Sequence, residues 1–262
     1  MLRRCLIIIS TLLFAQVSQG QTIRITNGDW DPYLSSQAFE YGLTSHMVSE
    51  AFKLEGIDIK WGFFPWKRAF ESAKEGQHWD AAAAWWPSDS YNEDFFTSDA
   101  IMDTALVFFH LKEYKLHWDS VEDLSGINIG LTRGYHYGEA LMNAKKENKI
   151  TTEPANNDEQ NFKKLLFGRT TIFPNDIVVG YTQINNTFPI HEAMRFTHHP
   201  KEFRVNTLHL LISKRAKNAK ELLKKFNSGL AKLRASDKYQ NMLNALKQGQ
   251  YDRPGSRKRL QH

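Results

Sequence analysis

The residues with most chemistry to offer in this chain are rings. Seven tryptophans and nine tyrosines occur among 262 residues. Trp30 and Tyr33 bracket the dipeptide Asp31-Pro32, and Trp85 and Trp86 are adjacent. Such faces stack on planar rings, sugar faces and organic cations. The usual catalytic and metal-binding patterns are missing. Ten histidines are scattered, and His198 and His199 are adjacent rather than four apart on a helix face, so no metal site is expected. The single cysteine is Cys5, which excludes a disulfide. There is no glycine-rich phosphate loop and no nucleophile elbow, and no cofactor is expected. Asp29 and Glu93 are the carboxylates that could act as a general acid, and neither sits in a diagnostic motif.

Alternating strand and helix signals position these rings. Thr22 to Thr26 reads as a strand stopping at Asn27-Gly28, and the Asp29 to Tyr33 loop follows it. Leu43, Met47, Ala51 and Leu54 recur at helical spacing up to Gly56. Asp58 to Phe63 reads as a strand, Trp66 to Lys74 as a helix closed by Gly76, and Asp80 to Trp86 as a buried strand. This is a βαβ order, which calls for a largely parallel sheet with ligand loops at the strand C-terminal ends. The order restarts after a strand at Ala105 to Leu111. Strands are expected at Ile127 to Leu131, Ile150 to Glu153 and Ile177 to Tyr181, and helices around Tyr137 to Lys146 and from Asp158 to Phe167. A strand at Leu208 to Ser213 and a helix striped by Leu222, Leu223, Phe226, Leu230 and Leu233 close the chain. Two such sets in series imply two lobes, and with no Gly/Ser linker their connections are expected to be short strands. Trp61, Trp66 and Trp79 are read as core filling.

The net charge of +5 is an effect of the ends. Arg3 and Arg4 stand at one terminus, and Arg253, Arg257, Lys258 and Arg259 against Asp252 at the other, which leaves residues 21–250 neutral. A basic surface for nucleic acid is therefore not expected. The two N-terminal arginines precede an apolar run, Leu6 to Ala15, and the small residues Ser18 and Gly20. That is the pattern of a cleaved secretory signal over residues 1–20, too short to span a bilayer. The expected mature protein starts near Gln21, is periplasmic, and ends in a disordered basic tail over residues 251–262.

Six segments in a fixed order carry a family resemblance. They are the loop after the first strand, Gly42 opening a helix, Pro65-Trp66 opening the next, Asp80 to Ala84 as a strand, Phe95-Phe96-Thr97-Ser98-Asp99, and Val121 to Gly130 followed by Arg133-Gly134. In these segments the chain, from about Ile23 to Leu246, resembles the family 3 extracellular solute-binding proteins, the polar amino acid components of ABC importers. The resemblance implies an α/β, two-lobe periplasmic-binding-protein fold of type II, each lobe a mostly parallel sheet flanked by helices. Lobe one would be residues 21–107 with 207–250, and lobe two residues 108–206. A small-molecule solute would bind in the cleft of a monomer and be presented to an ABC permease in the inner membrane, with hinge closure over it. In the family pattern Asp80 and Asp99 close a strand start and cap a turn.

Two expected anchors depart from that family. Members that bind α-amino acids hold the carboxylate with an arginine just after the lobe-one strand, and the matching stretch here, Ser88 to Asn92, has none. They hold the ammonium with an aspartate at or next to the end of the strand equivalent to Ile177 to Tyr181, where this chain has Gly180-Tyr181. A standard α-amino acid is accordingly not expected. The ligand-binding set implied is Trp30, Tyr33, Arg68, Trp85, Trp86, Ser88, Arg133, Tyr135 and Tyr181. Arg68 either grips an anionic group or pairs with Glu71 or Asp29. Arg133, at a lobe-two strand end, is an anion contact in principle. Tyr135 donates its hydroxyl or narrows the cleft. A cyclohexadienyl-dehydratase-like enzyme on the same fold and a soluble sensor subunit are the alternatives.

Overall fold

The computed structural model describes residues 21–133, 135 and 137–256. The expected signal segment and residues 257–262 of the tail lie outside them. Strand β1 (Gln21–Asn27) pairs in parallel with β2 (Ile57–Phe63) and β3 (Ala81–Trp85), and the helices α1 (Leu43–Lys53) and α2 (Trp66–Glu75) make the crossovers. Helix α1 turns Leu43, Met47, Val48, Ala51 and Phe52 inward, one face of a 3.6-residue repeat. Strand β4 (Phe95–Thr97) leads to the ten-residue β5 (Met102–Leu111). Then come β6 (Asn128–Thr132), α3 (Glu139–Lys146), β7 (Thr151–Ala155) and α4 (Asp158–Leu166). The order continues with β8 (Phe173–Asp176), α5 (Ile177–Thr187), the short α6 (Ile190–Ala193) and β9 (Phe196–His198). The ten-residue β10 (Arg204–Ser213), α7 (Ala219–Arg234) and α8 (Asp237–Lys247) complete it.

The main sheet runs β2-β1-β3-β10-β5-β8, with β4 on β10 and β9 on β5, and β6-β7 form a separate parallel pair. Both long strands belong to two neighbourhoods. One half of β10 (Leu211–Ser213) meets β3 and β4, while Arg204 to Leu208 pair antiparallel with Met102 to Leu106 of β5. The far half of β5 then meets β8 and β9. Two antiparallel strands thus carry the chain out and back between two packed regions. One core gathers β1, α1, α7 and α8 around Ile25, Met47, Phe52, Phe226 and Leu230. Two others, around Phe108 with Leu131 and around Phe109 with Phe162, lie beyond the long strands.

One expected element is of the other type. Ile177 to Tyr181 is the first half of helix α5, and the strand before it ends at Asp176. The β-branched run Ile177-Val178-Val179 favours a strand locally, but Asp176 accepts hydrogen bonds from the N–H groups of Val178 (2.9 Å) and Val179 (3.0 Å) and caps a helix instead. The tail also differs from expectation. Tyr251 is fully buried and its hydroxyl lies 2.8 Å from Nδ1 of His46 in α1, so the chain remains packed at least to Arg253. Helix α8, with Met242 and Leu246 as its buried residues, has too thin a stripe to stand out in the sequence. Trp61, Trp66 and Trp79 are partly buried; the first two pack on the larger core and Trp79 covers Gly62.

Helix α7 crosses α1 at glycine. A methyl on Gly229 would run into the carbonyl of Ala51, backbone that has no room to retreat. Gly229→Ala is expected to destabilise the protein by about 3 kcal/mol through overpacking, lowering Tm by roughly 6–12 °C in a thermal melt.

Candidate functional site

On the first lobe, the chain leaving β1 folds into a tight turn. The N–H of Trp30 donates to the carbonyl of Leu34 (2.8 Å), and those of Tyr33 and Leu34 donate back to the carbonyl of Trp30 (3.0 and 3.1 Å). The turn brings the rings of Trp30 and Tyr33 to 5.1 Å, edge to face. Behind it the indole of Trp66 lies on Gly28, where a Cβ would come within 2.5 Å of the ring.

Strand β3 aims the next two rings. Its alanines are buried, and Ala84 has φ of 60°, a left-handed conformation that costs a residue with a Cβ about 1–2 kcal/mol. The β3 and β10 register slips at the same place, between His209 and Leu211. Bulges of this kind re-aim side chains near functional sites. Trp85 turns into an aromatic cluster within the lobe, 5.0 Å from Phe70, 5.4 Å from Trp66 and 6.1 Å from Tyr91. Trp86 faces Trp30 at 6.2 Å and packs against both the larger core and the Phe108 core beyond the long strands. Of the adjacent pair, Trp86 therefore joins Trp30 and Tyr33, whereas Trp85 belongs to the wall behind them. Both indole nitrogens are buried with no hydrogen-bond partner among the described residues.

On the second lobe, three strand ends meet. Thr132 closes β6, Asp158 opens α4 just after β7, and Asp176 closes β8. Asp158 is buried and accepts from the Thr132 hydroxyl, from Asn175 Nδ2 (3.3 Å), from Gln183 and from the Tyr135 hydroxyl. Burial raises its pKa, and those four donors draw it back. Tyr137 accepts the N–H of Thr132 at 2.8 Å, and Asn161 donates to the Thr132 hydroxyl at 2.9 Å. Asp176 is wholly buried. Oδ1 caps α5, while Oδ2 has no partner in hydrogen-bonding geometry. Desolvation pushes its pKa up to about 6, against the N–H groups of Val179, Val178 and Ala105 and the hydroxyl of Tyr33, which stands beside the carboxyl from the other lobe.

Asp176 changes the expectation about anchors. With the strand ending at Asp176, the strand end in this lobe carries a carboxylate in place of the Gly180-Tyr181 pair expected from the sequence. Asn175-Asp176 ahead of an apolar run is a helix-start signal that could have found it. The arginine is still absent: Ser88 to Asn92 forms a single 3-10 turn, exposed at Ser88, whose hydroxyl accepts the N–H of Ser90 at 3.4 Å.

Besides Ser88, three of the expected residues lie apart from the buried set. Tyr181 sits one turn into α5 with its hydroxyl 2.6 Å from His198 Nδ1 and its ring on Phe109, within the second lobe. Arg68 is exposed, and its guanidinium lies over Phe64 (4.9 Å) rather than on Glu71 or Asp29. Arg133 is exposed at the end of β6, where its N–H donates to Ala155. Tyr135, about one third exposed, reaches inward to Asp158. The arrangement thus brings Tyr33, with Trp30 and Trp86 behind it, up to the buried carboxyl of Asp176, which among the described residues has no basic side chain bonded to it. That combination suits a cationic group.

No protein-family model and no curated protein matches this sequence. Solved structures do match. A histidine kinase sensor domain with similarity to periplasmic binding proteins aligns over 86% of this chain and 95% of its own, at 16% identity and a TM-score of 0.70. An ancestral arginine-binding protein bound to arginine aligns over 86% and 97%, at 16% identity and 0.69. Substrate binding domain 2 of GlnP from Lactococcus lactis aligns over 86% and 95%, at 20% identity and 0.62. The chain has the two-lobe periplasmic-binding-protein fold. Among the described residues, no helix is long and apolar enough to cross a membrane.

The raised carboxyl of Asp176 sets a pH dependence. A folded pKa near 6 against an ordinary 3.8 means that the folded state holds the proton more tightly, so stability falls as pH rises from about 4 to 6. The loss attached to this group is about 3 kcal/mol. Asp176→Asn keeps the cap and removes the charge, so the variant is expected to melt above the wild type at pH 7.5, with the gap closing by pH 4.5. Parallel pH slopes for the two proteins in thermal melts would show that this carboxyl titrates normally.

Proposed function

We propose that this protein is a periplasmic solute-binding protein that captures a small solute bearing an ammonium or similar cationic group beside a planar or apolar body. Residues 1–20 are the cleaved signal. Lobe one is residues 21–107 with 207–250, lobe two is residues 108–206, and β5 and β10 are the hinge strands. A monomer presents the solute to an ABC permease of the inner membrane. The likeness to a solved substrate binding protein of an amino acid ABC transporter supports the transport setting at the level of fold.

The reading is carried by Asp176, a wholly buried carboxyl whose contacts among the described residues are neutral N–H and hydroxyl groups, beside Tyr33, whose ring meets that of Trp30 and through it Trp86. A cation there gains a carboxylate partner and ring faces together, in a setting where water screens neither. With no arginine in residues 88–92 to grip a carboxylate, an amine without an α-carboxylate fits better than a standard amino acid. The alternative as a dehydratase-like enzyme would need a proton donor in the cleft, and turnover with loss of water would reveal it. The likeness to a sensor domain keeps sensing as an alternative downstream use of the same capture step.

A thermal-shift screen at pH 7.5 over primary amines, aromatic amines, amino acids, aromatic acids and sugars tests this, because a solute that binds only the folded form raises Tm. Amines are expected to give the largest shifts. Titration calorimetry on the best of them should show Asp176→Asn binding at least about a hundredfold more weakly and Trp86→Ala about tenfold more weakly, in line with loss of a buried charge pair and of a ring contact. Shifts confined to sugars or aromatic acids, or unchanged affinity in Asp176→Asn, would overturn it.

A further inference from the structure

We infer that the C-terminal segment is a working part of the binding loop: Arg253, through Asp31, holds the 29–35 turn in the form that turns Trp30 and Tyr33 toward the second lobe. The chain leaves α8 through a turn at Gly249, where the N–H groups of Gly249 and Gln250 donate to the carbonyls of Leu246 and Ala245. Tyr251 then plugs into the first core, bonded to His46 and 6.0 Å from the ring of Phe39. This anchor delivers Arg253 to the loop after β1, more than two hundred residues earlier in the sequence.

One guanidinium serves three residues of a single turn. Nη2 lies 2.6 Å from Oδ2 of Asp31 and 3.8 Å from Oδ1 of Asp29, and Nε donates to the Ser35 hydroxyl at 3.3 Å. Asp29 and Asp31 flank Trp30, and Ser35 lies two residues past Tyr33, so the contacts span both rings. Without the arginine the two carboxylates would repel across Trp30. Asp31 would suffer more, since its side chain is 18% exposed and its Oδ1 already has no hydrogen-bond partner among the described residues. An exposed ion pair contributes little, but a partly buried carboxylate stripped of its cation is strongly disfavoured. The C-terminal half of the turn is held separately, by the burial of Tyr33 and Leu34, by the Ser35 N–H on the carbonyl of Tyr41 and by the N–H groups of Leu43 and Thr44 on the carbonyls of Pro32 and Tyr33, whereas the Asp29–Asp31 flank has the Trp30–Leu34 backbone bonds, the bond from the Ser36 N–H to Asp29, and the guanidinium. Arg253 is thus a positioning residue for the rings.

The inference concerns the loop described above as part of the solute site, but its test needs no solute, so it stands or falls apart from the solute's identity. Hydrogen exchange is followed on the mature chain through to His262, comparing wild type, Arg253→Ala, Arg253→Lys, Asp31→Asn and the Arg253→Ala/Asp31→Asn double variant. Arg253→Ala and Asp31→Asn are each expected to speed exchange over residues 29–36 by about tenfold while peptides from α1 and α7 keep their rates. The double variant should be no faster than Arg253→Ala alone, because both changes break one interaction. Arg253→Lys should fall between wild type and Arg253→Ala, keeping the charge and losing the fork. The near-UV tryptophan dichroism of Arg253→Ala should change as Trp30 shifts on Trp86. Loop exchange within twofold of wild type in Arg253→Ala would overturn the assignment. So would equal acceleration in α7, which would mark general loss of stability, or additive effects in the double variant.

Discussion

A carboxyl group removed from water with no cation beside it among the described residues is the most demanding feature of this fold, and much of its surroundings makes sense as accommodation to Asp176. The group is tolerated because it stands at the N-terminus of α5, where two backbone N–H groups and the helix dipole favour negative charge. The Tyr33 hydroxyl, from the opposite lobe, and the N–H of Ala105 in β5 add a third and a fourth favourable contact. These contacts offset desolvation incompletely, which is why the pKa remains raised. Asp158 solves the same problem differently, with four neutral side-chain donors. Two carboxyl groups in one lobe, each satisfied or partly satisfied by neutral groups, make that face an acceptor for positive charge.

Placing such groups opposite the rings requires strands that end in the right places. The C-terminal ends of β1, β3, β6, β7 and β8 carry nearly every residue of the site, as expected where helices follow parallel strands and point their N-termini at the crevice. Strand direction alone does not choose between Trp85 and Trp86. The left-handed backbone at Ala84 does, sending one ring into the Phe70 cluster and the other toward Trp30. Strain at a buried strand end, matched by a slip in the partner strand, is a local cost that the surrounding sheet over-determines.

The βαβ order, the long connecting strands and the loop rings at Trp30 and Tyr33 could be read from the sequence, because each depends on local periodicity or on a stop signal such as Asn27-Gly28. Asp176 was hidden by its neighbours: Ile177, Val178 and Val179 read locally as strand, and a cap depends on which backbone N–H groups lack partners. The fate of Trp85 was hidden because alternation places two adjacent rings on opposite sides without saying which side is the cleft. The role of Arg253 was hidden by distance along the chain, since nothing near residue 253 signals that its partners are Asp31 and Ser35. In each of these cases the missing information was tertiary: who stands opposite, and how much water is left.

The same accounting says how binding and closure could be coupled. Trp86 touches the packed regions on both sides of the long strands, and Tyr33 reaches across to Asp176, so separating the lobes would expose ring surface and rehydrate the carboxyl at once. These two effects oppose each other. Exposing rings disfavours opening, while hydrating Asp176 favours it, because burial is what raises its pKa. A cation bound against Asp176 removes the second effect and leaves the first. A neutral solute of the same shape would leave the carboxyl uncompensated and gain only the ring contacts, and a ligand shifts such an equilibrium only by its differential affinity for the two states. Selectivity for charge and closure of the cleft would then be one property, located in a single buried carboxyl.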